Sequence, residues 1–161
     1  MESKMVNVLF VCMGNICRSP SAQGVFEKLL TEYSLSDKVF VDSAGTYGYH
    51  TGESPDKRAI AAAANRGIDI SKQQARAVDV EDFEKFDLIL AMDMSNLDAL
   101  KQIAPANSKA KVKLLMDYSS SSKAKEVPDP YFGGTQGFEV VLDLIQDASL
   151  GVLQEVRKIP E

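Results

Sequence analysis

The chain has 161 residues, of which 45% are hydrophobic and 25% are charged, and its formal net charge is −5 at pH 7. This length suits a single domain, residues 1–161, that buries a continuous core, and the composition is that of an ordinary globular protein. The negative charge argues against a general nucleic-acid binder and against adhesion to anionic membranes. A few local basic groups can still capture an anion.

The first apolar run, residues 5–11, is too short to span a bilayer and lacks the flanks of a secretory leader. A cytoplasmic location is therefore expected. The two cysteines, Cys12 and Cys17, lie five positions apart and cannot cross-link distant parts of the chain. In a reducing compartment both are expected to be free thiols.

Short apolar runs that alternate with amphipathic helical patterns predict an α/β fold. Strands are expected at residues 6–11, 39–41, 86–91 and 112–115. Such alternation predicts a single-domain, three-layer α/β/α arrangement of the flavodoxin-like kind, with a four-stranded parallel sheet in the order 2-1-3-4. Ligands of such sheets bind beyond the carboxyl ends of the strands, beside strand 1. Residues 12–18 occupy that place.

Two serine–proline pairs predict where the first two helices begin. At residues 19–20 and 54–55, a capping serine precedes a proline at the expected first helical position. Further helices are predicted from about Ser95 and over residues 138–153. A long polar loop is expected over residues 117–134.

Residues 12–18, which we call the phosphate loop, have the features of a segment that wraps around an oxyanion. Gly14 and Asn15 tolerate the unusual backbone angles that turn successive N–H groups inward, and the following helix adds its positive N-terminal end. Arg18 can place a planar fork of donors on two phosphoryl oxygens. The loop members, in order, are Cys12, Met13, Gly14, Asn15, Ile16, Cys17 and Arg18.

The thiol of Cys12 is the candidate nucleophile. Inward amides, a helix N-terminus and an arginine all favour the thiolate, which is the reactive form. Ser19 can donate a hydrogen bond to this thiolate and stabilise the sulfur when it leaves. The alternative is a small buried hydrophobic residue at a strand end, because a bare Cys-x5-Arg spacing is a weak signal. The strand–loop–helix context favours the catalytic interpretation.

A displaced alkoxide or phenoxide needs a proton donor, and Asp129 is the candidate. This residue lies between two prolines, which hold the carboxylate in a rigid part of the polar loop, although an ordinary turn aspartate is the alternative. The single histidine, His50, is assigned only to the substrate rim. Loop aromatics either wall an aryl substrate or cap the core; they are Tyr47, Tyr49, Tyr131 and Phe132.

Four segments resemble the low-molecular-weight protein tyrosine phosphatase family and together span essentially the whole chain. They are residues 8–20, Asp42-Ser43-Ala44-Gly45, the segment Met92-Asp93-x-Ser95-Asn96-Leu97, and Asp129-Pro130-Tyr131. The resemblance implies that the chain acts on phosphotyrosine-containing proteins and small aryl phosphates, and that the loop binds phosphate or a similar oxyanion. It implies no metal and no organic cofactor. Exposed loop tyrosines are compatible with a monomer or a weakly self-associating dimer.

The resemblance also implies roles for matching positions. Cys12 would form a phosphocysteine intermediate, Arg18 would bind the phosphoryl group, and Asp129 would act as general acid and then as general base. Cys17 is similar to the family's second cysteine, which can form a reversible disulfide with Cys12 and shield it from overoxidation.

A supporting set surrounds these residues in the family. Ser19 would assist the thiolate, and Asn15, hydrogen-bonded to Ser43, would hold the loop in its strained shape. Asp93 belongs to the same supporting set. The residues expected to form the substrate wall are Met13, Ile16, Tyr49, His50, Tyr131 and Phe132.

Two enzymes of the same fold and a binding module are the alternatives. Arsenate reductases need further cysteines, whereas this chain has two in all. Protein-arginine phosphatases resemble the loop but carry threonine where Ile16 stands and lack an aromatic residue after Asp-Pro, so Ile16 and Tyr131 favour an aryl phosphate. A non-catalytic phosphotyrosine-binding module needs neither nucleophile nor acid, and the joint presence of Cys12 and Asp129 argues against it.

Overall fold

The computed structural model describes residues 5–131 and 134–159. The strands of its single described sheet are β1 (Val6–Cys12), β2 (Val39–Gly45), β3 (Leu88–Ala91) and β4 (Lys111–Leu114). All pairs are parallel, and the strand order is β2-β1-β3-β4. The predicted α/β class, parallel pairing and strand order are confirmed.

Helices follow the strands along the chain. They are α1 (Arg18–Glu32), α2 (Lys57–Ala64), α3 (Asp82–Lys85), α4 (Met94–Ile103) and α5 (Gly134–Lys158), with one 3-10 turn at Leu115–Tyr118. The sequence did not predict α3, because four residues are too few to show a helical period. Within the two described ranges, no helix is long and apolar enough to cross a membrane.

The central strand β1 separates two apolar layers. Val8 and Phe10 belong to the layer shared with α1 and α5, while Leu9 and Val11 pack in the layer that contains Phe83. Alternate residues of a strand point to opposite faces, so a strand covered on both sides is apolar throughout. This explains the uninterrupted hydrophobic run that predicted β1.

The predicted start of α1 is wrong. The helix begins at Arg18 with Cys17 in the N-cap position, so Ser19 is its second residue and Pro20 its third. Pro20 is tolerated because N–H groups of the first turn have no partner within the helix. The Ser19 hydroxyl does not cap the helix but lies 3.0 Å from Cys12 Sγ.

The predicted start of α2 is also wrong. Asp56, not Ser54, is the N-cap, and its Oδ1 accepts a hydrogen bond from the backbone N–H of Arg58 at 2.8 Å. Serine and aspartate both cap well, so the sequence alone could not decide between neighbouring candidates. The backbone N–H of Asp56 donates to the Ile16 carbonyl at 2.8 Å, which joins the helix start to the phosphate loop.

Candidate active site

The phosphate loop connects β1 to α1 at the carboxyl end of the sheet, where ligands of parallel sheets bind. The chain after β2 runs beside it: the N–H groups of Thr46 and Tyr47 donate to the carbonyls of Cys12 and Met13, each at 2.9 Å. A Cβ atom on Gly45 would lie 2.7 Å from the Met13 carbonyl oxygen. The close approach of these two segments therefore requires glycine at position 45.

Cys12 lies at the base of this loop with 3% of its surface exposed. Its Sγ is 3.0 Å from Ser19 Oγ and accepts a hydrogen bond from the backbone N–H of Asn15 at 3.3 Å. Asn15 has φ +59°, which is the left-handed conformation that asparagine tolerates better than most residues. The backbone N–H of Asn15 therefore points at the sulfur, and the Ser19 hydroxyl lies within hydrogen-bond distance of it.

The side chain of Asn15 is 98% buried and ties the loop to two neighbouring segments. Its Nδ2 donates to Ser19 Oγ at 2.8 Å and to Ser43 Oγ, on β2, at 3.0 Å. Its Oδ1 accepts a hydrogen bond from the backbone N–H of Arg76 at 3.0 Å. The family resemblance predicts the contact with Ser43, whereas no sequence pattern predicts the contact with Arg76, because Arg76 contributes a backbone group.

Two acceptors orient Arg18 through the same guanidinium nitrogen, Nη1. Nη1 donates to Asp93 Oδ2 at 2.6 Å and to the Val127 carbonyl at 3.0 Å. Asp93 also caps α4, because its Oδ1 accepts from the backbone N–H of Asn96 at 2.8 Å. Arg18 is 3% exposed, so these contacts hold a buried charge in one orientation.

Asp129 lies at the mouth of the same site, with its side chain 41% exposed. Its Oδ2 is 4.0 Å from Arg18 Nη2, and its Oδ1 accepts from the backbone N–H of Tyr131 at 3.0 Å. The carboxylate thus shares one pocket with the phosphate loop, although 111 positions separate Asp129 from Arg18 along the chain.

A pocket of about 280 Å³ contains most of the predicted site residues. Its lining residues are Cys12, Met13, Gly14, Ile16, Cys17, Arg18, Tyr49, His50, Asp129 and Tyr131. Tyr49 is 86% exposed and Tyr131 43% exposed, as rim residues would be. Phe132, also predicted for the wall, lies outside the described residues.

Other contacts orient two of these rim residues. The His50 Nδ1 meets the Glu53 carboxylate, and the His50 ring packs edge-on against Tyr49 with centroids 5.2 Å apart. The Arg58 guanidinium lies 5.4 Å from the Tyr131 ring centroid. In the described part of the chain, no group of three or more His, Cys, Asp or Glu side chains is arranged to hold a metal ion.

The second cysteine of the loop has a different environment. Burial raises the pKa of Cys17 to about 12, and the negative charges of Asp56, Cys12 and Asp129 act in the same direction. Cys17 therefore stays protonated near neutral pH. Both Cys12 and Cys17 are free thiols.

The fold and the site define an α/β protein whose first strand–helix loop brings a buried cysteine and an arginine into one pocket, and comparison with known proteins identifies the family. Residues 7–160 match the family described as "Low molecular weight phosphotyrosine protein phosphatase". The human protein of that name is 45% identical over 142 residues, which cover 87% of this chain and 89% of the human one. The chain belongs to the low molecular weight phosphotyrosine protein phosphatase family, as its motifs predicted.

Solved structures agree with this assignment. A crystal structure of a protein tyrosine phosphatase from Entamoeba histolytica superimposes with a TM-score of 0.92 and 38% identity, covering 95% of this chain and 97% of that one. A Drosophila protein described as an arginine phosphatase also matches, with a TM-score of 0.87 and 33% identity over 96% of this chain and 99% of that one. The fold is therefore shared by phosphatases described with different substrates.

Proposed function

We propose that this chain is a single-domain protein tyrosine phosphatase that hydrolyses phosphotyrosine and small aryl phosphates through a phosphocysteine intermediate. One observation carries the proposal: a buried cysteine with two inward donors shares a pocket with an oriented arginine and an exposed aspartate, namely Cys12, Arg18 and Asp129. Membership of a phosphotyrosine phosphatase family supports the same conclusion.

In the first step the Cys12 thiolate attacks the phosphorus atom and the bond to the phenolic oxygen breaks. Because Asp93 and Val127 hold Nη1 of Arg18, the Nη2 side of the guanidinium is left to face the phosphoryl oxygens. The charge that develops on those oxygens is stabilised by a donor that does not need to reorient during the reaction. Asp129 gives its proton to the leaving phenoxide, which departs as a neutral phenol.

In the second step water attacks the phosphocysteine. Asp129, now a carboxylate, takes a proton from that water, and the sulfur–phosphorus bond breaks to release phosphate and the Cys12 thiolate. A thiolate is a better leaving group when donors face it, and the Ser19 hydroxyl and the Asn15 N–H occupy that position. The donors that favour the nucleophile in the first step thus stabilise the leaving group in the second.

The pocket wall supports an aromatic phosphate as substrate. Tyr49 and Tyr131 are exposed at the rim, and Ile16 of the phosphate loop lines the pocket. Flat apolar surfaces of this kind stack on a phenyl ring. We further propose that the physiological substrates are phosphotyrosine proteins in the cytoplasm, that inorganic phosphate occupies the loop between turnovers, and that the chain is monomeric or forms a weak dimer.

The decisive test replaces the nucleophile. Cys12→Ser is expected to abolish hydrolysis of an aryl phosphate, measured with a chelator present, while the variant still binds a phosphate analogue in calorimetry. Full activity in Cys12→Ser, or activity that disappears with the chelator, would contradict the mechanism.

Substrate class is tested by matched peptides that carry phosphotyrosine, phosphoserine or phosphoarginine at one position. The phosphotyrosine peptide is expected to have the highest kcat/KM. Faster hydrolysis of the phosphoarginine peptide would favour the second candidate, a protein-arginine phosphatase, for which the Drosophila structure is the supporting observation.

A further inference from the structure

Residues 75–78 lie outside the predicted site and contact the phosphate loop at Asn15. This segment pairs with the end of β2, since the Gly45 N–H donates to the Arg76 carbonyl and the Val78 N–H donates to the Gly45 carbonyl, each at 2.8 Å. This pairing directs the Arg76 N–H towards Asn15 Oδ1, 3.0 Å away. The segment therefore reaches the loop through one backbone hydrogen bond.

That hydrogen bond determines the direction of a chain of donors that ends at the nucleophile. A backbone N–H can only donate, so the atom of Asn15 that faces Arg76 must be the amide oxygen. The amide nitrogen then faces Ser19 Oγ at 2.8 Å and must donate to it. Since the Ser19 oxygen accepts from Asn15, its own proton is free to point elsewhere.

Two acceptors compete for the Ser19 proton. One is Cys12 Sγ at 3.0 Å, and the other is the Ala44 carbonyl at 3.4 Å. The sulfur is the stronger acceptor when it is a thiolate, because hydrogen bonds to a charged acceptor are about twice as strong as neutral ones. The chain of donors from Arg76 through Asn15 and Ser19 thus ends on the Cys12 thiolate.

The Arg76 side chain anchors its own backbone segment to two other elements. Its Nη1 and Nη2 bind both oxygens of Asp82 at 3.0 and 3.1 Å, and its Nε donates to Asp42 Oδ2 at 3.1 Å. Asp82, in α3, is 6% exposed, and Asp42 is adjacent to Ser43 in β2. Burial opposes the charge of Arg76, but the hydrogen bonds and charges of the two carboxylates outweigh it and raise the pKa of Arg76.

We propose that Arg76, clamped between Asp42 and Asp82, is a positioning residue for the phosphatase reaction. It acts through Asn15 and Ser19 by fixing the direction in which they donate, and so keeps a proton directed at the Cys12 thiolate. The proposal rests on the proposed role of Cys12 as nucleophile. It assigns a function to an ion-pair cluster that does not line the pocket.

The test compares Arg76→Met with wild type in two measurements. The first is the pH at which iodoacetamide alkylation of Cys12, followed by mass spectrometry, reaches half its maximal rate. The second is kcat and KM for an aryl phosphate with a good leaving group, for which release of the sulfur limits the rate.

Losing a hydrogen bond to a charged group changes the affected equilibrium or rate constant by about ten- to a hundredfold. The backbone pairing with β2 remains in the variant, so a partial loss is expected. The alkylation midpoint is expected to rise by about 0.5–1 pH unit. Because breakdown of the phosphocysteine limits the rate with this substrate, kcat is expected to fall about five- to tenfold and KM to fall in parallel, so that kcat/KM stays within about twofold. Other charged or titratable residues that line the same pocket are unchanged; these are Cys17, Arg18, Tyr49, His50, Asp129 and Tyr131.

Two further variants guard against general misfolding. Asp82→Asn keeps the shape of the ion pair with Arg76 but removes its negative charge. It is expected to lower kcat by about two- to threefold and to raise the alkylation midpoint by less than Arg76→Met does. Arg76→Lys retains the charge without the fork and is expected to lie between wild type and Arg76→Met.

Arg66→Met is the matched control. Arg66 likewise joins several partners, Glu139, Asp143 and Gln146, but on the α2–α5 surface away from the pocket. This variant is expected to lower the melting temperature and to leave the alkylation midpoint unchanged.

The proposal is overturned if Arg76→Met and Asp82→Asn lower the melting temperature as Arg66→Met does, while the alkylation midpoint and kcat stay at wild-type values. An inactive wild-type protein whose alkylation midpoint still shifts in Arg76→Met would instead contradict the proposed function and leave the positioning role supported.

Discussion

The two halves of the candidate site are held in very different ways. In the phosphate loop and the residue after it, Asn15, Arg18 and Ser19 are each at most 3% exposed, and each makes at least two hydrogen bonds within the loop or to neighbouring segments. Residues 119–131, which we call the acid loop, carry Asp129 with its side chain 41% exposed. The proposed nucleophile, Cys12, is therefore preorganised by the fold, whereas the proposed acid, Asp129, is held by a few contacts near its end of the loop.

The contacts that hold the acid loop involve Arg18, the arginine proposed to bind the phosphoryl group. The Val127 N–H donates to the Met92 carbonyl at 2.8 Å, and the Val127 carbonyl accepts from Arg18. The Glu126 carboxylate accepts from the Met94 N–H at 2.6 Å, at the first residue of α4. Arg18 thus links both halves of the site. An anion that binds the Arg18 guanidinium contacts the same side chain that holds the acid loop through the Val127 carbonyl.

The largest effect is expected in the preorganised half. Asn15→Ala removes three side-chain hydrogen bonds and leaves alanine at φ +59°, where a Cβ is strained. We expect kcat for an aryl phosphate to fall about a hundredfold and stability to fall by about 2 kcal/mol, measured by steady-state kinetics and urea unfolding.

Asn15→Gly separates the two causes. Glycine relieves the backbone strain but does not restore the side-chain contacts, so stability should partly recover while kcat stays low. Recovery of both quantities would show that the conformation of the loop, not the hydrogen bonds of Asn15, is what matters.

A smaller and more selective effect is expected in the acid loop. Asp129→Asn cannot donate a proton to the leaving oxygen, so hydrolysis of phenyl phosphates with poor leaving groups is expected to slow about a hundredfold, and of those with good leaving groups much less. The measurement is the slope of log kcat/KM against the pKa of the leaving phenol, which should steepen in the variant. Equal losses across the series would remove Asp129 as the acid and would make the acid loop a substrate clamp.

The contrast between the two halves also explains what the sequence could predict. The nucleophile, the arginine and Ser19 lie within eight residues between a buried strand and a helix, so local pattern located them together. The prediction of Asp129 rested on its two flanking prolines and on the family resemblance, because Asp129 lies far from Cys12 along the chain. The contact of Arg76 with Asn15 could not be predicted, because Arg76 donates through its backbone N–H, a group that every residue except proline carries.

The predicted starts of α1 and α2 were wrong for a related reason. Ser19 has the right chemistry for a cap, yet its hydroxyl contacts Cys12 and Asn15 instead. The fold was easier to predict, because buried parallel strands need continuous apolar sequence, and β1 is such a segment.

The smallest effect concerns stability at alkaline pH and separates the two cysteines of the phosphate loop. Burial, together with the charges of Asp56, Cys12 and Asp129, raises the pKa of Cys17 from 9.0 to about 12, whereas Arg58 acts weakly in the opposite direction. Below pH 9 the thiol is protonated in both the folded and the unfolded chain, so its contribution to stability is fully present. Between about pH 9 and 12 the unfolded chain loses this proton while the folded chain keeps it, so that contribution is progressively lost.

Cys17→Ser, which does not ionise in this range, should therefore lose less stability than wild type as the pH rises. Urea unfolding under reducing conditions at about pH 7, 8, 9 and 10 measures the difference in stability between the two proteins, which should be constant from about pH 7 to 8 and shrink above about pH 9. A constant difference up to about pH 10 would mean that Cys17 ionises as readily in the folded chain as in the unfolded one. The loop would then not distinguish its two thiols by environment, and the preorganised half of the site would have to select its nucleophile by access alone.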